Sequence, residues 1–211
     1  MTDVSTVDEL NDTRGIGFKN LVLATLAGAI AAVTILVWGI PGLDPAMWRE
    51  AAVAAQIRPP QTIFPGFWRV ISVGLFSTFG VSGAIRVLTF AGAALGGVAV
   101  ALVYLIVRQT LALLIRTGRP YAVWSNRIAP FFAFVAAALF GLSDPLSRIA
   151  RVFSPSLLRF TVVLVIVHLA LRWFVAGGRW RLFPLVALMG LLAAETPFGF
   201  LLPVLFIGAY V

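Results

Sequence analysis

The residues in this chain that could do chemistry are few, and they are mostly lone carboxylates and arginines. Of its eight acids, four (Asp3, Asp8, Glu9 and Asp12) crowd the first 13 residues, leaving Asp44, Glu50, Asp144 and Glu195 for everything that follows. Asp44 follows a long apolar run by only a few residues. A carboxylate at such a place can take a proton from an acceptor hydroxyl. It also suits the N-cap of a helix over residues 46–57, for which Asp is a preferred residue, and the residue pattern alone favours the cap. Glu50 comes six residues later, a spacing that does not share a helix face with Asp44 and does not make a metal pair. It reads as the partner of a nearby arginine.

Arginine suits phosphate because its planar fork donates two parallel hydrogen bonds. Arg58 stands before Pro59-Pro60, and Arg69 follows Pro65-Gly66. Arg148 and Arg151 are three apart and share one face of any helix that holds them. For Arg58 and Arg69 the alternative is snorkelling to lipid headgroups, favoured for Arg69; for Arg148 and Arg151 it is pairing with Asp144. His168 sits inside the run VLVIVHLAL, where an interhelical hydrogen bond is the expected satisfaction for a neutral imidazole. Gly92 and Gly96 form a GxxxG pair, the pattern of close helix packing. There is no His/Cys cluster, no phosphate-binding glycine loop and no serine elbow.

The elements that must position these groups are apolar helices. The chain has 211 residues, 61% of them hydrophobic and 11% charged, against about 25% charged in a soluble domain. Lipid solvation accounts for the shortfall, since a charge at the bilayer centre costs several kcal/mol. The expected fold class is all-α, a polytopic transmembrane helical bundle with about six membrane segments. Residues 1–17 read as a polar cytoplasmic tail. Residues 18–40 are long enough to span ~30 Å of hydrocarbon and read as an uncleaved anchor. Residues 46–57 and 62–80 read as interfacial helices in the first outer loop. Residues 87–107 and 157–173 read as spanning helices, 128–142 as a shorter apolar helix, and 182–194 and 198–211 as two apolar pieces joined by Glu195-Thr196-Pro197. Residues 108–127 and 143–156 read as polar loops.

The net charge of +8 comes from 15 arginines and one lysine. They are scattered between apolar runs, which points to membrane lipid or a lipid-linked phosphate as the counter-charge and away from nucleic acid. Loops 108–127 and 172–181 hold Arg108, Arg116, Arg119, Arg127, Arg172, Arg179 and Arg181 and no acid. The positive-inside rule then places them, with the N-terminus, on the cytoplasmic side, and puts Asp44, Glu50, Asp144 and Glu195 on the other. Cysteine is absent, so there is no disulfide framework.

The order of these features resembles the GT-C superfamily of membrane glycosyltransferases, in the bacterial branch related to protein O-mannosyltransferases and lipid A aminoarabinose transferase. The resemblance is carried by LDPAMWREAAVAAQIRPPQTIFPGFWR (Leu43 to Arg69), by LALRW (169–173) and by MGLLAAETPFGFLLPVLF (189–206). It covers most of the chain from residue 18, as a rhythm more than a signature. It implies a GT-C-like transmembrane domain over 18–211 and transfer of a sugar from a polyprenyl-phosphate donor to an acceptor hydroxyl on the outer face. Asp44 would be the catalytic base, and Arg58, Arg69, Arg148, Arg151 and Glu50 would form the substrate-binding group. The partners implied are the lipid-linked donor and membrane lipid, in a bacterial inner membrane. No cofactor is expected, and a divalent metal is left open. Where the family has a His-Pro-Pro turn this chain has Arg58, and a frequent Glu-Val-Tyr stretch reads Arg151-Val152-Phe153. Family members are much longer, so the resemblance implies either the N-terminal part of a larger protein, with a C-terminal remainder as a further partner, or a truncated relative. The alternative from another class is a non-catalytic multi-pass protein, a transporter or scaffold subunit.

Overall fold

The computed structural model describes residues 18–39, 65–115, 128–151, 155–176, 180 and 182–195. Six α-helices account for almost all of them: α1 (Phe18–Gly39), α2 (Pro65–Ile115), α3 (Ala129–Gly141), α4 (Asp144–Arg151), α5 (Pro155–Ala176) and α6 (Leu182–Glu195). Prolines mark the starts. Pro65, Pro130, Pro145, Pro155 and Pro184 each fall in a first turn, where the missing N–H would have had no partner within the helix.

Three stretches are long and apolar enough to cross a membrane: Phe18–Val37, Ser82–Leu114 and Leu157–Phe174. The chain is an integral membrane protein on this ground. Ala129–Gly141 and Leu182–Leu192 are apolar but shorter. The expected sixth segment, 198–211, and the expected interfacial helix, 46–57, lie outside the described residues.

The piece expected at 62–80 and the span expected at 87–107 meet within α2 at Gly80, whose non-helical backbone (φ 65°, ψ 178°) divides the stretch into two helices; glycine alone accepts that φ without strain. Two sequence expectations are corrected. The polar loop expected from 108 is helical to Ile115, because the apolar run at 111–115 continues the helical pattern past Arg108. The loop expected over 143–156 contains α4, whose Leu146 and Ala150 are buried while Asp144 and Pro145 are exposed.

The bundle is held by small residues. α1 and α2 run antiparallel, with Asn20 beside Tyr104 at one end and Ile35 beside Gly96 at the other. A Cβ placed on Gly28 would lie 2.6 Å from the carbonyl oxygen of Gly97, and one on Gly97 would lie 2.6 Å from that of Gly28. The two backbones are therefore in direct contact. Lipid gives little hydrophobic drive between helices, so association rests on such close packing. Gly97 makes this contact, one position along from the Gly92/Gly96 pair that the spacing singled out. α3 supplies a matching stripe, Ala129, Ala133, Ala137 and Gly141, all buried, and packs on α1 and α2. α5 covers α2 and carries α6 through Ile166, Ala170, Leu185, Met189 and Leu192. The opposite faces of these helices expose Leu21, Leu26, Val33, Phe131, Leu139 and Phe183, the surface lipid would cover. Hydroxyls within the helices bond back to an earlier carbonyl, as Thr34 does to Ile30 at 2.8 Å and Thr161 to Leu157 at 2.9 Å, which satisfies their donors inside the helix.

Candidate functional site

The most unusual place in the bundle is the joint between α3 and α4. α3 ends at Gly141, whose own missing side chain lets Ala31 of α1 and Val100 of α2 approach: a Cβ there would meet each at 3.2 Å. The chain then breaks at Leu142-Ser143 and restarts as α4. Serines repair the break. Ser143 Oγ donates to the Phe140 carbonyl at 2.7 Å, and Ser147 Oγ donates to the Asp144 carbonyl at 2.9 Å. Backbone bonds from Leu142 N–H to the Ala138 carbonyl (2.9 Å) and from Ser147 N–H to the Ser143 carbonyl (3.1 Å) complete the connection.

α4 is strongly two-faced. Leu146 and Ala150, four apart, are buried in the core formed with α1 and α2. By helix register, positions 144, 147, 148 and 151 share the other side. Ala150 and Ile35 converge on Gly96, where a Cβ would stand 3.0 Å from Ala150 Cβ and 2.9 Å from Ile35 Cδ1. The late part of α1, the middle of α2 and the end of α4 thus meet at one point. On the α5 side, Phe160 stacks on Phe140 with ring centroids 5.8 Å apart.

Of the residues singled out from sequence, Asp44, Glu50 and Arg58 lie outside the described residues. Arg148 and Arg151 both fall on α4, whose Ala150 meets Gly96 beside Ile35 of α1. Arg69 sits in the first turns of α2, on the far side of the Gly80 bend from Gly96. The two groups of arginines are therefore carried by different parts of the bundle.

A second polar layer lies nearer the Phe18 end, and the sequence reading missed most of it. Tyr104 is fully buried and its hydroxyl sits 3.4 Å from Asn20 Oδ1. One turn on, Arg108 Nε and Gln109 Oε1 are buried without a hydrogen-bond partner, as is His168 Nδ1 on α5. The hydrogen bond expected of His168 is thus not made through that nitrogen. Asn20 and Tyr104, 84 positions apart, gave no local signal. Among the described residues no three His, Cys, Asp or Glu side chains gather in a way that could hold a metal ion. No family model, curated protein or solved structure matches the chain.

Proposed function

We propose that the chain is a membrane glycosyltransferase of GT-C type, or the N-terminal part of one, transferring a sugar from a polyprenyl-phosphate donor to an acceptor hydroxyl. The observation that supports this reading is the convergence of Ile35 and Ala150 on Gly96. α1 runs four residues past Ile35 to Gly39, and five further residues, at most ~18 Å of extended chain, lead to Asp44. Asp44 is therefore tethered to the end of the bundle that carries Arg148 and Arg151. In this reading Asp44 takes the acceptor's proton as its oxygen attacks the anomeric carbon. Arg148 and Arg151, with Arg58 from the first outer loop and Arg69 from the start of α2, hold the departing lipid phosphate, and Glu50 orients one of them. The orientation in this reading is N-terminus inside, in a bacterial inner membrane.

The test is Asp44→Asn assayed in proteoliposomes with a polyprenyl-phosphate sugar donor. Loss of a general base lowers turnover roughly 10²–10⁴-fold, while donor binding is retained. Undiminished turnover refutes the base role.

A second reading, a transporter, is favoured by one observation: the α3–α4 joint is a broken helix with polar residues at the break, the device by which carriers build substrate sites. It predicts substrate counterflow in proteoliposomes that survives Asp44→Asn.

A further inference from the structure

The crossing of α1 and α2 marks the middle of the membrane. Gly28 and Gly97, whose backbones touch there, each fall within one residue of the centre of their spans, Phe18–Val37 and Ser82–Leu114. Counted from that crossing along the helices, Tyr104 lies ~10 Å, Asn20 ~12 Å and Lys19 ~13 Å towards the Phe18 end. Arg86 and Arg108 are each eleven residues from Gly97, or ~16 Å to either side. The hydrocarbon extends ~15 Å from its centre. The two arginines therefore mark its two edges on α2, with no charged residue between them.

The two edges differ. Arg86 is exposed, as suits a boundary arginine reaching for headgroups or water. Arg108 is half-buried, and its Nε is enclosed by protein with nothing among the described residues to accept its hydrogen. Its position follows from the pairing beside it. Tyr104, one turn earlier on the same face, has its hydroxyl 3.4 Å from Asn20 Oδ1, and the charge of Arg108 acts on that hydroxyl. α1 begins at Phe18, two residues beyond Asn20, while α2 runs on past Arg108 to Ile115. Arg108 thus sits at the mouth of the α1–α2 seam, level with the start of α1, whose leading N–H groups have no partner within the helix. Lys19, exposed on that first turn, adds a second cation. A desolvated guanidinium N–H without an acceptor is costly, and buried polar groups are normally paired. The donors gathered here call for an anionic oxygen, and at this depth the anion at hand is a lipid phosphate.

We propose that the mouth of the α1–α2 seam binds the phosphate of an anionic lipid in the leaflet on the Phe18 side, with Arg108 as the chief donor and Lys19 as the second charge. A guanidinium holds phosphate through parallel, charge-assisted hydrogen bonds. The chains of that lipid lie along Leu21, Val22 and Leu26, which are exposed on the turns of α1 that lead from Lys19 into the membrane. Because it binds only the assembled seam, the lipid stabilises the folded bundle by mass action. The site is at the opposite end of α1 from Gly39, beyond which the chain leads to Asp44. It stands whether Asp44→Asn abolishes sugar transfer or leaves it intact.

Thermal unfolding of the full chain in a neutral, phosphate-free detergent, titrated with short-chain phosphatidylglycerol, tests the site. The melting temperature of the unaltered chain should rise with lipid and saturate. Arg108→Gln should need at least about tenfold more lipid for the same rise, since hydrogen bonds to a charged group are lost. Arg108→Lys keeps the charge without the planar fork and should fall between the two. Lys19→Gln alters only an exposed side chain and should weaken the response by less than Arg108→Gln does. Arg86→Gln, at the other edge of the same helix, is the control and should respond as the unaltered chain does. Diacylglycerol, which has no phosphate, should raise nothing. Inorganic phosphate should also raise nothing; a rise with it would assign the site to free phosphate and overturn the lipid. No rise in the unaltered chain, an undiminished response in Arg108→Gln, or an equal loss in Arg86→Gln overturns the site. If Arg108→Gln does not fold, Arg108→Lys and Lys19→Gln carry the test, and an undiminished response in both is the contrary result.

Discussion

Gly28→Ala asks whether the backbone contact between α1 and α2 is what holds the bundle. The new methyl would lie 2.6 Å from the Gly97 carbonyl oxygen and 3.3 Å from Ala101 Cβ. Relief to an ordinary contact needs α1 and α2 to part by about 0.7 Å, and a gap of that size forfeits a quarter to a half of the dispersion energy between facing atoms. Overpacking of this kind costs about 1–3 kcal/mol. Against it stands the gain of replacing glycine by alanine within a helix, roughly 0.5–1 kcal/mol. The net expected is a loss of about 0.5–2 kcal/mol. Gly190→Ala is the matched control, in α6, where an added Cβ meets nothing within 4 Å, so only the gain of roughly 0.5–1 kcal/mol applies. The two variants should differ by about 1–3 kcal/mol, or roughly 2–12 °C in Tm for a chain of this size. Thermal unfolding in detergent, followed by helical circular dichroism, reads the difference. If Gly28→Ala is as stable as Gly190→Ala, α1 and α2 are not in backbone contact and the packing account fails.

Further outcomes follow from the same structure. Gly80→Ala should destabilise by about 1 kcal/mol although space is open there, because φ is 65°, whereas Gly74→Ala, also in open space, should stabilise; matched melting curves that move the same way would contradict the bend at Gly80. Ala137→Leu should unseat α3 from α1 and α2, since Ala137 is fully buried, costing at least about 1–3 kcal/mol; an unchanged melting temperature would mean α3 does not dock there. Tyr104→Phe should cost no more than about 1 kcal/mol, because the bond to Asn20 is long at 3.4 Å, and a larger loss would show that the hydroxyl has a stronger partner.

Membrane insertion was legible in the sequence because it depends on composition summed over whole helices. The runs at 18–40 and 157–173 became α1 and α5 almost residue for residue. Helix ends were less legible. Arg108 looked like a loop start, yet Tyr104 and Arg108 are one turn apart on the same helix, and the apolar run beyond them carries the helix on. α4 was missed because its eight residues are as polar as a loop. Only burial of Leu146 and Ala150 against α1 and α2, a tertiary effect, makes them helical. The candidate site was legible in part. The spacing of Arg148 and Arg151 indicated a shared face, but nothing local could show that Ala150 reaches Gly96, more than fifty residues away. Gly28 and Gly97 were equally silent, since a pair contact between distant glycines leaves no periodic trace.

Both functional readings require the end of α4 to lie beside the late part of α1. Ile35 Cδ1 and Ala150 Cβ each stand about 3 Å from the same point on Gly96. Oxidative cross-linking of the double variant Ile35→Cys/Ala150→Cys in native membranes measures this directly. We expect a cross-link to form readily there and not in Val33→Cys/Ala150→Cys, whose first position faces outward. Equal cross-linking of the two pairs, or none in the first, would contradict the arrangement of α1, α2 and α4 on which the account rests.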